Sequence, residues 1–235
     1  MTQKTKIIMH TEKHFTASDL IKDIVIGMSD GLTVPFALAA GLSGAVSSNG
    51  IVITAGMAEI VAGSIAMGLG GYLAGKTDSD HYQSELQREY EEVEKVPENE
   101  IQEVKDVFAE YGISPVLQNE IALELSRDKN RWVDFMMKFE LGMERPDEKR
   151  ASKSAFNIGV SYIIGGIVPL LGYFFTRTPK NGLIISTIVT ILFLFAFGYI
   201  KTKFTGNKPF LGGIKTVFIG VLAAGAAFFI ARLIS

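Results

Sequence analysis

Five long apolar stretches alternate with polar segments along the chain. They cover residues 24–46, 50–75, 155–175, 181–200 and 210–231. A bilayer core of roughly 30 Å takes about 20 residues of helix, so each stretch is long enough to cross it. The 181–200 stretch is rich in β-branched residues. Its length and its lack of apolar/polar alternation still predict a helix, and only helices satisfy an open backbone in lipid. Between the second and third stretches lies a different pattern. Residues 76–150 are polar with short apolar periodicities, which predicts three or four amphipathic helices. Gly112 reads as a helix stop, and Ser114-Pro115 as an N-cap followed by proline in the first turn. Trp132, Phe135, Met136 and Phe139 recur at helical spacing, an apolar stripe that needs a partner. The expected fold class is all-α: a polytopic membrane protein with five transmembrane helices and a water-exposed helical domain between helices two and three. The expected divisions are an N-terminal arm (1–17), a transmembrane hairpin (18–75), the insert (76–150) and spans three to five (151–235).

Charge sharpens this division. The chain is 48% hydrophobic and 20% charged, a combination that requires segregation. The insert holds 20 acidic and 11 basic residues, a net −9, and the remainder carries +7. Lys4, Lys6, Lys13 and Lys22, together with Lys201, Lys203 and Lys208, lie on the same side as the insert. Lys and Arg mark the cytosolic face, so the N-terminus and the insert are expected in the cytosol. Five spans then put the C-terminus on the far side. The first 20 residues lack the apolar run of a cleavable signal. With no cysteine, disulfides, thiolate metal sites and cysteine nucleophiles are excluded.

Two carboxylates interrupt the first two spans, Asp30 and Glu59. A charge at mid-bilayer costs several kcal/mol and marks a functional site by default. Asp30 lies 12 residues before the 42–49 loop and Glu59 lies 10 after it. At 1.5 Å per residue both sit roughly 15–18 Å from that surface, so one hairpin brings them to one level. Such a pair holds either a cation or protons. Met67 lies two turns beyond Glu59, and its soft thioether would favour Fe²⁺ over Mg²⁺ or Ca²⁺; taken alone it also reads as packing, and Met28 and Met57 have the same standing. Gly27/Gly31, Gly71/Gly75 and Gly165-Gly166 predict close helix packing, and Pro35 and Pro169 predict kinks.

The insert has its own acidic constellation. Glu89/Glu92 and Glu100/Glu103 are pairs spaced by three, which places each pair on one helix face. Pro97 lies between them and turns the chain so that the pairs can face each other. Oxygen clusters of this kind suit divalent ions; the same pattern also describes a solvated acidic face. His81 is the only histidine there, which argues against a di-iron oxidase. No nucleophile motif supports an enzyme, and an acidic soluble part gives no support to nucleic-acid binding.

The hairpin text DGLTVPFALAAGLSGA (30–45) and AGMAEIVAGSIAMGLGGYLA (55–74) resembles the vacuolar iron transporter family, especially its plant members. The resemblance runs from about residue 18 to the end and includes a full insert, which nodulin-like relatives do not have. It implies a homodimer in the vacuolar membrane with the pathway at the dimer interface, carrying Fe²⁺ and also Mn²⁺, Zn²⁺ or Co²⁺ out of the cytosol by proton antiport. It implies a C-terminus in the lumen and no prosthetic group. The pathway residues would be Asp30, Glu59 and Met67. The insert ligands would be Glu89, Glu92, Glu100, Glu103 and Glu140, with sulfur from Met136 or Met137. The rival expectation is a membrane-anchored metal sensor or store that does not transport.

Overall fold

The computed structural model describes residues 18–234, and the predicted N-terminal arm lies outside them. Among the described residues the secondary structure is helical throughout. The elements are α1 (Ser18–Ala45), α2 (Asn49–Lys95), α3 (Pro97–Glu110), α4 (Pro115–Leu125), α5 (Lys129–Phe135), a π-helical turn (Met136–Glu140), α6 (Arg150–Phe174), α7 (Pro179–Phe204) and α8 (Pro209–Ile234). By length and composition, five of them (α1, α2, α6, α7 and α8) can cross a membrane. The chain forms two compact units. One holds the residues up to Gly71 and from Ser154 onward, and the other holds Tyr72–Lys153. Helix α2 contributes to both.

The membrane-type unit is built around α1. Ala39 joins Val52 and Ile60 of α2 and Leu170 and Tyr173 of α6 in one buried cluster. Leu32 meets Val168 and Leu194, and Phe36 and Ala40 meet Ala224 of α8. Glycines let backbones approach, as lipid-embedded helices require when apolar burial gives no net drive. A Cβ at Gly27 would collide with the Ile158 carbonyl, and one at Gly165 would sit 3.0 Å from the Leu32 nitrogen. Both expected proline positions lie inside continuous helices, Pro35 in α1 and Pro169 in α6.

In the second unit α2 runs on to Lys95 on its own residues, with exposed Lys76–Asp80 and Glu91–Lys95 pairs at 2.7 Å along it. Each such i,i+4 pair adds only tenths of a kcal/mol. Val96 alone separates α2 from α3, whose first turn opens on Pro97. Gly112, at φ +73°, ends α3 in the left-handed region where a side chain is strained. Asp128 caps α5 by accepting from the Asn130 and Arg131 amides. The core joins Tyr82 and Val93 of α2, Val104 of α3 and Ala122 of α4 to Trp132, Val133, Met136 and Met137.

The expected apolar stripe is interrupted. Trp132 and Met136 are buried, yet Phe139 is 53% exposed. The cause is the π-turn, in which the Leu141 amide bonds the Met136 carbonyl five residues back at 3.1 Å. That wider turn changes the angular register, so Phe139 leaves the buried face and meets only the edge of the cluster through Phe135 at 4.9 Å.

Candidate metal and transport sites

In the membrane-type unit, α1 carries Asp30 and α2 carries Glu59, and both side chains are half-buried. One of them, Glu59, meets a third residue, Tyr162 of α6. Its phenol donates to Glu59 Oε1. The approach depends on two glycines. Gly31, next to Asp30, lies against the Tyr162 backbone. Gly63, one turn past Glu59, lies against its ring, where a Cβ would meet Cζ and Cε1 at 2.5 and 2.7 Å. The other Glu59 oxygen, Oε2, is shielded from solvent and has no hydrogen-bond partner. Such an atom is costly unless a proton or a cation completes it. Met67 is half-buried two turns further along α2.

One carboxylate of this unit escaped the sequence reading. Asp23 is 1% exposed and accepts from Ser154 Oγ at 3.0 Å and Asn157 Nδ2 at 3.3 Å. It stands one residue before the first apolar stretch, where a charge reads as an interfacial residue. A helical repeat from Asp30 back by seven would have placed it on the same face. Tyr162 was equally hidden, because a tyrosine in an apolar run carries no signal of its own.

In the insert, the turn at Val96 folds α3 back on α2 and brings Glu89, Glu92 and Glu100 together, with one carboxylate oxygen of each within 4.8 Å of the others. Glu89 and Glu100 are 2% and 3% exposed, and each keeps one buried oxygen with no hydrogen-bond partner. Burial and then repulsion from Glu140 and Glu92 push Glu89 up to about 7. Burial and the neighbouring Glu103 do the same to Glu100, also to about 7. Glu103 and Glu140 are raised by burial first and then by the neighbouring carboxylates; the two line a cleft of about 190 Å³ with Asp106 and Glu110. Arg88 partly offsets this charge, with nitrogens 2.7 Å from Glu85 and 3.5 Å from Glu92. Met136 and Met137 are buried in the apolar core on the π-turn that also carries Glu140. Oxygen donors that repel one another, with a buried unpartnered oxygen on Glu89 and on Glu100, fit a hard or borderline divalent ion.

Comparison with known proteins agrees with this architecture. The VIT family model matches residues 21–232. The chain is 51% identical over 232 residues to "Vacuolar iron transporter 1" of Arabidopsis thaliana, covering 99% of this chain and 93% of that protein. It is 52% identical over 223 residues to "Vacuolar iron transporter 1" of Oryza sativa subsp. japonica, covering 95% and 88%. A fungal relative, "Vacuolar iron transporter cccA" of Arthroderma benhamiae, is 35% identical over 224 residues, covering 92% and 80%. A family match over nearly the whole chain, with relatives matched almost end to end, is decisive: this protein is a member of the VIT family.

Proposed function

We propose that this protein moves Fe²⁺, and with it Mn²⁺, Zn²⁺ and Co²⁺, from the cytosol into the vacuole in exchange for protons. The observation that carries the reading is the pair Asp30 and Glu59, half-buried on two helices of an apolar bundle with the Tyr162 phenol on Glu59, in a chain whose relatives are named vacuolar iron transporters. The insert collects ions from the cytosol on Glu89, Glu92, Glu100, Glu103 and Glu140, with Met136 and Met137 as the sulfur donors. The ions pass by Met67 to Asp30 and Glu59. A conformational change opens the pathway to the lumen, where protons neutralise the carboxylates and release the ion. The N-terminus and insert are cytosolic and the C-terminus is lumenal.

The working unit in this reading is a homodimer that pairs along α2. Ala58, Ala62, Ala66 and Gly70 form an exposed stripe of small residues at a spacing of four. Larger apolar residues, Val61, Ile65 and Leu69, are exposed beside it. Small residues at that spacing let two lipid-embedded helices meet closely, and Glu59 and Met67 flank the stripe.

The test is metal flux in proteoliposomes carrying metal-sensitive and pH-sensitive dyes. Wild-type protein moves metal with opposite proton movement, and Asp30→Asn abolishes both. Metal flux without proton movement refutes the antiport. Unchanged flux in Asp30→Asn refutes the pathway. Metal binding with no flux at all supports the sensor or store instead.

A further inference from the structure

We infer that Tyr162 is a positioning residue that fixes Glu59 as a one-oxygen ligand and thereby sets which cations the pathway accepts. This rests on the pathway reading above and deepens it.

A free carboxylate offers two equivalent oxygens and can hold a cation with one or with both. Here the two are made unequal. Oε1 receives the Tyr162 phenol, while Oε2 is buried and without a partner. Hydrogen bonds to an ionised acceptor are among the stronger ones, and this one is buried, because Tyr162 is 2% exposed. The ring has no freedom to swing away. Gly63 closes on it from α2, and Gly31 of α1 touches its backbone. The phenol is thus packed against α2 and tied to Glu59 Oε1, so Oε2 is the oxygen left without a partner to face an ion.

Geometry at the ion follows from that constraint. Large cations such as Ca²⁺ take six to eight oxygens at 2.3–2.6 Å and use carboxylates through one atom or through both. Smaller divalent ions are satisfied with fewer, single-oxygen contacts. A Glu59 limited to one oxygen therefore favours the smaller ions and disfavours Ca²⁺. Met67, with its soft sulfur, acts in the same direction. Tyr162 itself needs no contact with the ion; it acts through Glu59.

The experiment compares Mn²⁺ uptake by full-length wild type, Tyr162→Phe and Glu59→Gln in proteoliposomes, with Ca²⁺ as competitor. The Phe variant keeps the ring and removes only the hydroxyl. Loss of a hydrogen bond to a charged group raises the KM for Mn²⁺ on the order of tenfold, with Vmax within about twofold, and Ca²⁺ becomes an effective competitor. A purely structural role lowers Vmax and leaves KM and Ca²⁺ exclusion unchanged; that outcome, or no change at all, overturns the assignment. Infrared difference spectra of the wild type on adding Mn²⁺, with the Glu59→Gln spectrum subtracted, keep the question open to test even where the Phe variant fails to fold. A widely split pair of carboxylate stretches marks single-oxygen ligation and supports the assignment, and a narrow pair marks two-oxygen ligation and overturns it. Full Mn²⁺ flux in Glu59→Gln refutes the pathway reading, and with it this one. Lost flux in Glu59→Gln beside an unaltered Tyr162→Phe refutes the role of Tyr162 alone.

Discussion

In the proposed function protons and metal ions compete for the insert cluster, and the strength of that competition follows from the structure. Glu89 and Glu100 are each pushed up to about 7 by burial and by neighbouring carboxylates. An ion that binds both must displace whatever protons they hold. At pH 8 a group titrating near 7 is about nine-tenths ionised, and at pH 6 about nine-tenths protonated. Each such group weakens apparent metal affinity by about tenfold between those limits, or about 1.4 kcal/mol. The two groups repel each other and titrate as a pair, so the combined loss lies between about tenfold and a hundredfold. Glu103 and Glu140, also raised, act in the same direction. The assay is calorimetric titration of Co²⁺ into full-length protein in detergent at pH 6, 7 and 8. Asp30→Asn and Glu59→Gln silence the membrane site, and buffers of different ionisation heat count the protons released. One to two protons should leave per ion near pH 6.5. Affinity constant within twofold from pH 6 to 8, or binding without proton release, refutes the buried-carboxylate account. Loss of binding in Glu89→Gln and Glu100→Gln then identifies the ligands.

Two further outcomes are expected. Without metal, the insert should melt more easily as pH rises. Glu89 and Glu100 stand higher in the folded chain than their ordinary 4.5, so the folded state binds more protons. The stability they contribute is full below pH 4.5 and is lost as pH climbs through 7. One independent shift of this size is worth roughly 3 kcal/mol, and the coupled pair less than twice that. Trp132 is the chain's only tryptophan and is 4% exposed in the insert core, so its fluorescence reports this transition in the intact protein. A midpoint that falls by ~10 °C between pH 5 and 7.5 and recovers with Zn²⁺ agrees; a midpoint that rises with pH does not. In the membrane unit, Gly63→Ala places a Cβ under 3 Å from the Tyr162 ring. It should lower thermal stability by about 1–3 kcal/mol and displace the phenol from Glu59, which reads out as weakened Mn²⁺ uptake in the same liposome assay.

The five apolar helices were legible because length and hydrophobicity are summed over many residues, so no single position decides them. Pro97 and Gly112 were legible because each does one local thing: proline opens a helix, and glycine tolerates positive φ. The continuity of α2 through Lys95 was not. The sequence changes from apolar to charged near residue 76, which marks a change of solvent, while the helical backbone itself has no reason to stop there. The π-turn at Met136 was likewise invisible. Trp132, Met136 and Met137 are all buried as the turn opens, and Phe139 is left exposed after it. Periodicity analysis assumes a constant angle per residue and so misplaces everything after such a turn.

The site shows the same limit in a sharper form. Asp30 and Glu59 could be found because an acid in an apolar run is out of place, and their common level followed from counting rise along two antiparallel helices. Counting rise gives depth but no azimuth. Which way the Glu59 carboxylate faces is set by the third helix, through a contact 103 positions apart between Tyr162 and Glu59. That contact exists because Gly31 and Gly63 lack side chains. In the sequence each glycine belonged to a plausible packing pattern and the tyrosine to an apolar stretch, so none of the three pointed to the others. Their joint effect is to make the two oxygens of one carboxylate different, a property no residue has by itself. Selectivity written in this way is carried by the packing around a ligand, and a reading confined to the ligands would find two acids and miss what distinguishes one cation from another.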